Sequence, residues 1–162
     1  MEQNKLEKRM YGLVPYNISP IQAGIQFGHS VVEYSLIPEY KEEYLEWAKN
    51  WKTFIILNGG TTNNQFKNGK FVGSLNQHYQ TLIENDIDVS TFYEPDLGDQ
   101  LTAITFIVDE RVFNKEKYPD YSYRGPEGYF ESMTEQYYQK LFGKDYKKIW
   151  WLRKFLSQFK LA

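Results

Sequence analysis

Ser19-Pro20-Ile21-Gln22-Ala23-Gly24-Ile25-Gln26-Phe27-Gly28-His29-Ser30 follows closely on an apolar run at residues 10–14. Its reading decides the fold, because it sets a strand directly before a helix whose start is specified several times over. Ser19 suits the N-cap, Pro20 the first helical position, and Gln22 is placed to reach back to the Ser19 amide as a capping box. Helical spacing puts Gln22, Gln26, His29 and Glu33 on one polar stripe, and Ile21, Ile25, Val32 and Leu36 on a face suited to burial. Gly24 and Gly28 each cost about 1 kcal/mol of helix propensity relative to alanine. That cost is expected where a backbone or a ligand comes close, so the amide and imidazole row beside small residues reads as the wall of a site.

Working outward, 162 residues is the length of one domain with an appendage at most, and enough to bury a real core. The 14 Tyr, 11 Phe and 4 Trp make the chain rich in aromatics. Cysteine is absent, which excludes disulfide and thiolate chemistry and suits a reducing cytoplasm. The first residues are polar and mixed in charge, and no stretch approaches the ~20 apolar residues of a membrane span. A soluble, cytoplasmic protein with no membrane partner is the expectation. The net charge of -2 hides an asymmetry: residues 140–162 hold seven basic groups against the single acid Asp145, so the tail carries +6 and the rest -8. A basic tail on an acidic body either holds a polyanion or docks on its own body.

The order of elements follows from periodicity and punctuation. The strand at 10–14 ends at Pro15, the capped helix runs 20–36, and a second helix at 39–49 shows Tyr40, Tyr44 and Trp47 on one face. A strand at 52–57 leads into a Gly-, Asn-, Thr- and Lys-rich stretch at 58–73, where Asn68-Gly69 signals a turn between Phe66 and Phe71. A helix at 74–84, a strand at 87–93, an acidic turn at 94–99 and a strand at 101–108 complete the body. The last connection is too short for a crossover, so those two strands pair antiparallel. The expected class is α/β, three-layer, with a mixed four-stranded sheet flanked by helices. Beyond 108 a Tyr-, Pro- and Gly-rich segment reaches 128, and helices follow at 129–142 and 145–159. The organisation expected is a tail at 1–8, an α/β domain at 9–108, and an aromatic-rich helical extension at 109–162 packed on the body.

Several residues carry candidate chemistry. His29 suits a general base whose pKa Glu33 or Asp96 would tune, or equally a helix histidine bonded to a strand carbonyl. His78, between Gln77 and Tyr79, reads as a surface residue. Glu94, Asp96 and Asp99 continue an acidic run from Glu84, Asp86 and Asp88. It reads as a solvated loop, as a cation site whose spacing matches no calcium loop, or as a source of a carboxylate base in Asp96. No metal or cofactor is assigned. Asn58-Gly59-Gly60-Thr61-Thr62-Asn63-Asn64 offers amides for a phosphate, without P-loop or dinucleotide spacing. The run 144–160 interleaves Lys and Arg with Tyr146, Trp150, Trp151, Phe155 and Phe159, a pattern shared by nucleic-acid surfaces and by amphipathic helices that pack on the body or on a partner protein.

Taken in order, residues 9–108 resemble the archaeal and eukaryotic type of peptidyl-tRNA hydrolase, the class unrelated to the main bacterial enzyme. The helix opens like that family's Lys-x-x-x-Gln-x-x-His-Ala segment, with Gln26 at the Gln and His29 at the His, and Asp96 and Gly98 look like its Asp-x-Gly. The resemblance implies an α/β fold, a tRNA or nucleotide-like ligand, and hydrolysis of an ester with water as nucleophile. It implies His29, Asp96 and Gln26 as catalytic residues, and Gln22, Thr102 and Asn58 as substrate contacts. The chain departs from the pattern where the family lysine is replaced by Gln22, and where Asp99 and Gln100 follow the Asp-x-Gly, with Thr102 further on. Two expectations therefore stand side by side: a diverged hydrolase, and a non-catalytic protein that uses the same scaffold to bind a protein partner, through residues 140–162, or a nucleotide.

Overall fold

The computed structural model describes residues 5–63, 65–120 and 129–162; residues 1–4 of the expected tail, Asn64 and residues 121–128 of the Tyr-, Pro- and Gly-rich segment lie outside the described residues. The chain divides into two compact units, one of Glu7–Val108 with Phe159–Ala162, the other of residues 5–6 with Asp109–Gln158.

The first unit is built on strand β1 (Lys8–Val14), helix α1 (Pro20–Leu36), helix α2 (Lys41–Asn50), strand β2 (Phe54–Asn58), a small hairpin of β3 (Phe66–Lys67) and β4 (Lys70–Phe71), helix α3 (Ser74–Glu84), and strands β5 (Ser90–Glu94) and β6 (Gln100–Asp109). The sheet order is β2-β1-β6-β5; β1 and β2 run parallel, β5 and β6 antiparallel. This is the mixed four-stranded sheet of an α/β fold. Ser19 caps α1 through its hydroxyl, which accepts from the Gln22 amide at 3.2 Å, and Pro20 begins the helix. Asn68 and Gly69 both take positive φ in the β3–β4 turn, the geometry that makes Asn-Gly a hairpin signal.

One layer of the core joins Met10 and Val14 of β1 and Ala103 of β6 to Ala23, Phe27, Val31 and Tyr34 of α1 and Trp47 of α2. Gly12 makes room for it: a Cβ there would run into the Phe27 ring. Tyr11 and Leu13 alternate to the opposite face of β1, where Tyr11 stacks on Phe106 and Gly59 fits between Leu13 and Leu75 of α3. The burial expected for α1 is reversed. Ile21, Ile25, Val32 and Leu36 are 78%, 50%, 58% and 67% exposed, and the helix turns its other apolar stripe inward because that is the side for which Gly12 leaves space. Gly24 and Gly28 also face open space, with nothing within 4 Å of where a Cβ would sit, so no neighbouring backbone explains them.

The second unit holds a one-turn helix α4 (Glu110–Phe113), then α5 (Tyr129–Phe142) and α6 (Tyr146–Ser157). Periodicity does not announce so short a helix as α4; Asp109 caps it by accepting from the Arg111 amide at 2.9 Å. Ile149, Leu152, Arg153 and Phe155 form the buried face of α6. Arg153 is buried because its guanidinium donates to the carbonyls of Arg111 and Tyr118 and to Asp120, while Arg111 pairs with Asp109 and Asp145. No helix among the described residues is long and apolar enough to cross a membrane.

Candidate functional site

The polar side chains that the fold brings together lie along the seam between α1 and the β5–β6 pair. The seam has two rungs. In the first, the Thr102 hydroxyl donates to Gln26 Oε1 at 2.8 Å, and Gln26 Nε2 donates to Glu94 Oε2 at 2.7 Å. In the second, Ser30 Oγ and Thr105 Oγ1 share a hydrogen bond at 2.9 Å, and Ser90 Oγ donates to the Ser30 carbonyl at 2.7 Å. Gln26 and Ser30 are one helical turn apart, a rise of about 6 Å. Thr102 and Thr105 are three residues apart on a strand, which by simple alternation would face opposite ways. A bulge resolves this: Phe92 pairs with Ala103 but Tyr93 with Leu101, leaving Thr102 as the extra residue, turned toward α1.

Gln26 is 5% exposed and Thr102 is fully buried. A carboxylate only accepts, so the Gln26 amide nitrogen must face Glu94, and its oxygen is then free to receive the Thr102 proton. Every polar atom of the rung has a use, which is what makes such burial affordable. Glu94 is the receiving end. Its other oxygen accepts from the Asp96 amide at 3.2 Å, as cap of the short 3-10 turn Pro95–Leu97. The Gln26 hydrogen bond above all, then the Asp96 amide, and lastly the charge of nearby His29, hold the Glu94 carboxyl below its ordinary value of 4.5. The His29 ring lies 4.4 Å from the Phe92 ring, on the exposed flank of α1.

The expected residues thus fall in three places. Gln26 bonds Glu94 directly, Thr102 lies behind it holding Gln26, and His29 is near enough for its charge to act on Glu94. Gln22 is exposed one turn before Gln26, and Asp96 contributes its main-chain amide while its side chain is exposed. Asn58 lies elsewhere: its side chain accepts from the Gly60 amide, and it lines a cavity of about 290 Å3 with Val14, Pro15, Tyr16, Gly24 and Ile56. Gly24 and Gln26 are about 160° apart around α1, so cavity and polar rung flank opposite edges of the helix.

Glu94 is the functional candidate that sequence reasoning misses in favour of Asp96. The local signal is present in Glu94-Pro95-Asp96, an acid before proline that can cap the turn it begins. The phosphate reading of the 58–64 loop loses four of its amides, which are committed within the fold: Gly59 to the Val14 carbonyl, Gly60 to Asn58, Thr61 to Ser74 Oγ and Thr62 to Asn17. The Thr62 hydroxyl bonds the Leu101 carbonyl, which ties this loop to the start of β6. His78 is corrected; it is half-buried, edge-on to Phe159 at 4.8 Å, and burial lowers its pKa. Among the described residues no three His, Cys, Asp or Glu side chains converge in a way that would hold a metal ion. No family model matches the chain, and no curated protein shows significant similarity to it.

Proposed function

We propose that the chain is a diverged relative of the archaeal and eukaryotic peptidyl-tRNA hydrolases and hydrolyses an ester on a tRNA 3′ end, with His29 and Glu94 as its working pair. The observation that carries this reading is the Glu94 carboxylate, fixed on both oxygens by Gln26 and the Asp96 amide and close enough to His29 for the two charges to interact. A water attacks the ester carbonyl and gives its proton to the His29 imidazole. Glu94, kept ionised, stabilises the imidazolium that results, as the carboxylate of a catalytic triad does. The imidazolium then returns the proton to the departing ribose oxygen. Gln22 stands where a lysine would meet the oxyanion. A neutral amide stabilises it less than an ammonium, so the turnover expected is slow.

The test is turnover of peptidyl-tRNA by the purified chain and three variants. His29→Ala and Glu94→Gln lower the rate at least 100-fold, the range of a lost acid–base group, while Asp96→Asn stays near wild type because only its amide is used. Equal rates in all four proteins would overturn the assignment.

A second reading rests on its own observation. The exposed Ile21, Ile25, Val32 and Leu36 leave an apolar stripe along α1, and the missing lysine weakens catalysis, so a non-catalytic protein that binds a protein or nucleotide partner follows. Absence of turnover at high protein concentration, together with a stable complex in a pull-down, selects it.

A further inference from the structure

In the second unit, α6 sorts its residues cleanly between two sides. Ile149, Leu152, Arg153 and Phe155 are buried, whereas Lys147, Lys148, Trp150 and Lys154 face solvent, as does Lys144 just before the helix. Lys147, Trp150 and Lys154 fall at i, i+3 and i+7, a continuous exposed stripe. Within the described residues no carboxylate forms an ion pair with any of these four lysines, whereas Arg111, Lys115, Lys117 and Arg153 of the same unit are paired. Trp150 is 42% exposed, unusually open for a tryptophan, and Lys154 Nζ rests 3.8 Å from the centre of its ring.

We infer that this face of α6 binds single-stranded nucleic acid, with Lys144, Lys147, Lys148 and Lys154 on the phosphates and Trp150 as the platform for one base. The inference stands apart from the ester-hydrolase reading, since it uses none of that site's residues. Three observations carry it. The lysines hold positive charge in a tail of +6 on an otherwise acidic chain, so the face attracts polyanions while the rest of the surface repels them. Lys147 and Lys154 are about 10.5 Å apart along the helix, which matches roughly three nucleotides of a stacked strand at about 3.4 Å each. The open indole between them offers what an acidic peptide would not use, a flat ring on which any base can stack. On binding, the Lys154 ammonium leaves the ring for a phosphate and a base takes its place.

The experiment uses the full chain and a fluorescein-labelled 12-nucleotide uridine oligomer, read by anisotropy at several salt concentrations, with poly-glutamate and a duplex of equal length as competitors. Four phosphate contacts give a slope of log affinity against log salt of about -3. Lys147→Glu with Lys154→Glu weakens binding more than 30-fold and flattens the slope by at least 1. Trp150→Ala weakens binding about 10-fold with the slope unchanged, and Trp150→Phe recovers most of the loss. All three positions are exposed, and circular dichroism checks that the variants remain folded. Wild-type affinity in the double lysine variant, or displacement of the oligomer by poly-glutamate at the same charge concentration, would overturn the inference. Equal competition by the duplex would remove the stacking role and with it the single-strand assignment.

Discussion

The side-chain amide of Gln26 donates to the Glu94 carboxylate at 2.7 Å, joining the first long helix to the end of β5 across 68 residues of sequence. The bond depends on a third residue. Thr102, turned inward by the bulge in β6, donates to the Gln26 oxygen and so holds the amide whose nitrogen the acceptor-only carboxylate draws toward Glu94.

Thr102→Val keeps the shape and removes the donor. Gln26 Oε1 is then buried without a partner, and an unsatisfied polar atom of that kind costs about 1–3 kcal/mol. Urea denaturation should show that loss, and Thr102→Ser should recover most of it. Unchanged stability in the valine variant would mean that Gln26 finds another partner and that the rung is not a fixed unit.

Glu94 makes stability depend on pH with a definite sign. Its carboxyl sits below 4.5 in the folded chain, with the Gln26 bond as the main cause, so folding favours the ionised form. The stability it contributes is present above 4.5 and is lost as pH falls through the lower folded value. Wild type should therefore exceed Glu94→Gln in stability at pH 7, and the two should converge as the solution is acidified below 4.5. A difference that widens on acidification would reverse the assignment.

Much of the architecture is legible because it is written locally. Ser19-Pro20 fixes where α1 begins, Asn68-Gly69 fixes the hairpin turn, and the short link between β5 and β6 fixes their antiparallel pairing. The inward face of α1 is not. Two apolar stripes run along it, and periodicity alone gives each an equal claim. The choice is made by residues far away in sequence: Gly12 admits Phe27, and Ser90 and Thr105 receive Ser30. The same distance hides the role of Glu94, since nothing near it in sequence announces Gln26.

The glycines turn that difference into a measurement. Gly24 and Gly28 are helical with open space beside them, so Gly24→Ala and Gly28→Ala should each stabilise the chain by about 0.5–1 kcal/mol. Gly12→Ala should do the reverse, because its methyl meets the Phe27 ring and overpacking of this kind costs about 1–3 kcal/mol. Thermal melts of the three single variants check the signs. A destabilising Gly28→Ala would show that the exposed side of α1 is covered in solution.

Arg153 supports the second unit from within, and its loss should be felt there. Its Nη2 donates to the carbonyls of Arg111 and Tyr118 at 2.6 and 2.5 Å, Nη1 to Asp120 at 2.9 Å, and the guanidinium lies 4.8 Å from the Phe142 ring. Asp120 is half-exposed and keeps Lys115 at 3.2 Å when Arg153 is removed. The cost of Arg153→Met therefore comes chiefly from the two carbonyls left without donors, about 1–3 kcal/mol each. Arg153→Lys keeps the charge but lacks the planar fork that reaches three acceptors at once, so it should recover only part. Hydrogen exchange of the α6 amides separates this from the first unit: exchange should quicken across Tyr146–Ser157 and stay unchanged in β1 and β6. Uniform acceleration through both units would instead mean that the two unfold as one.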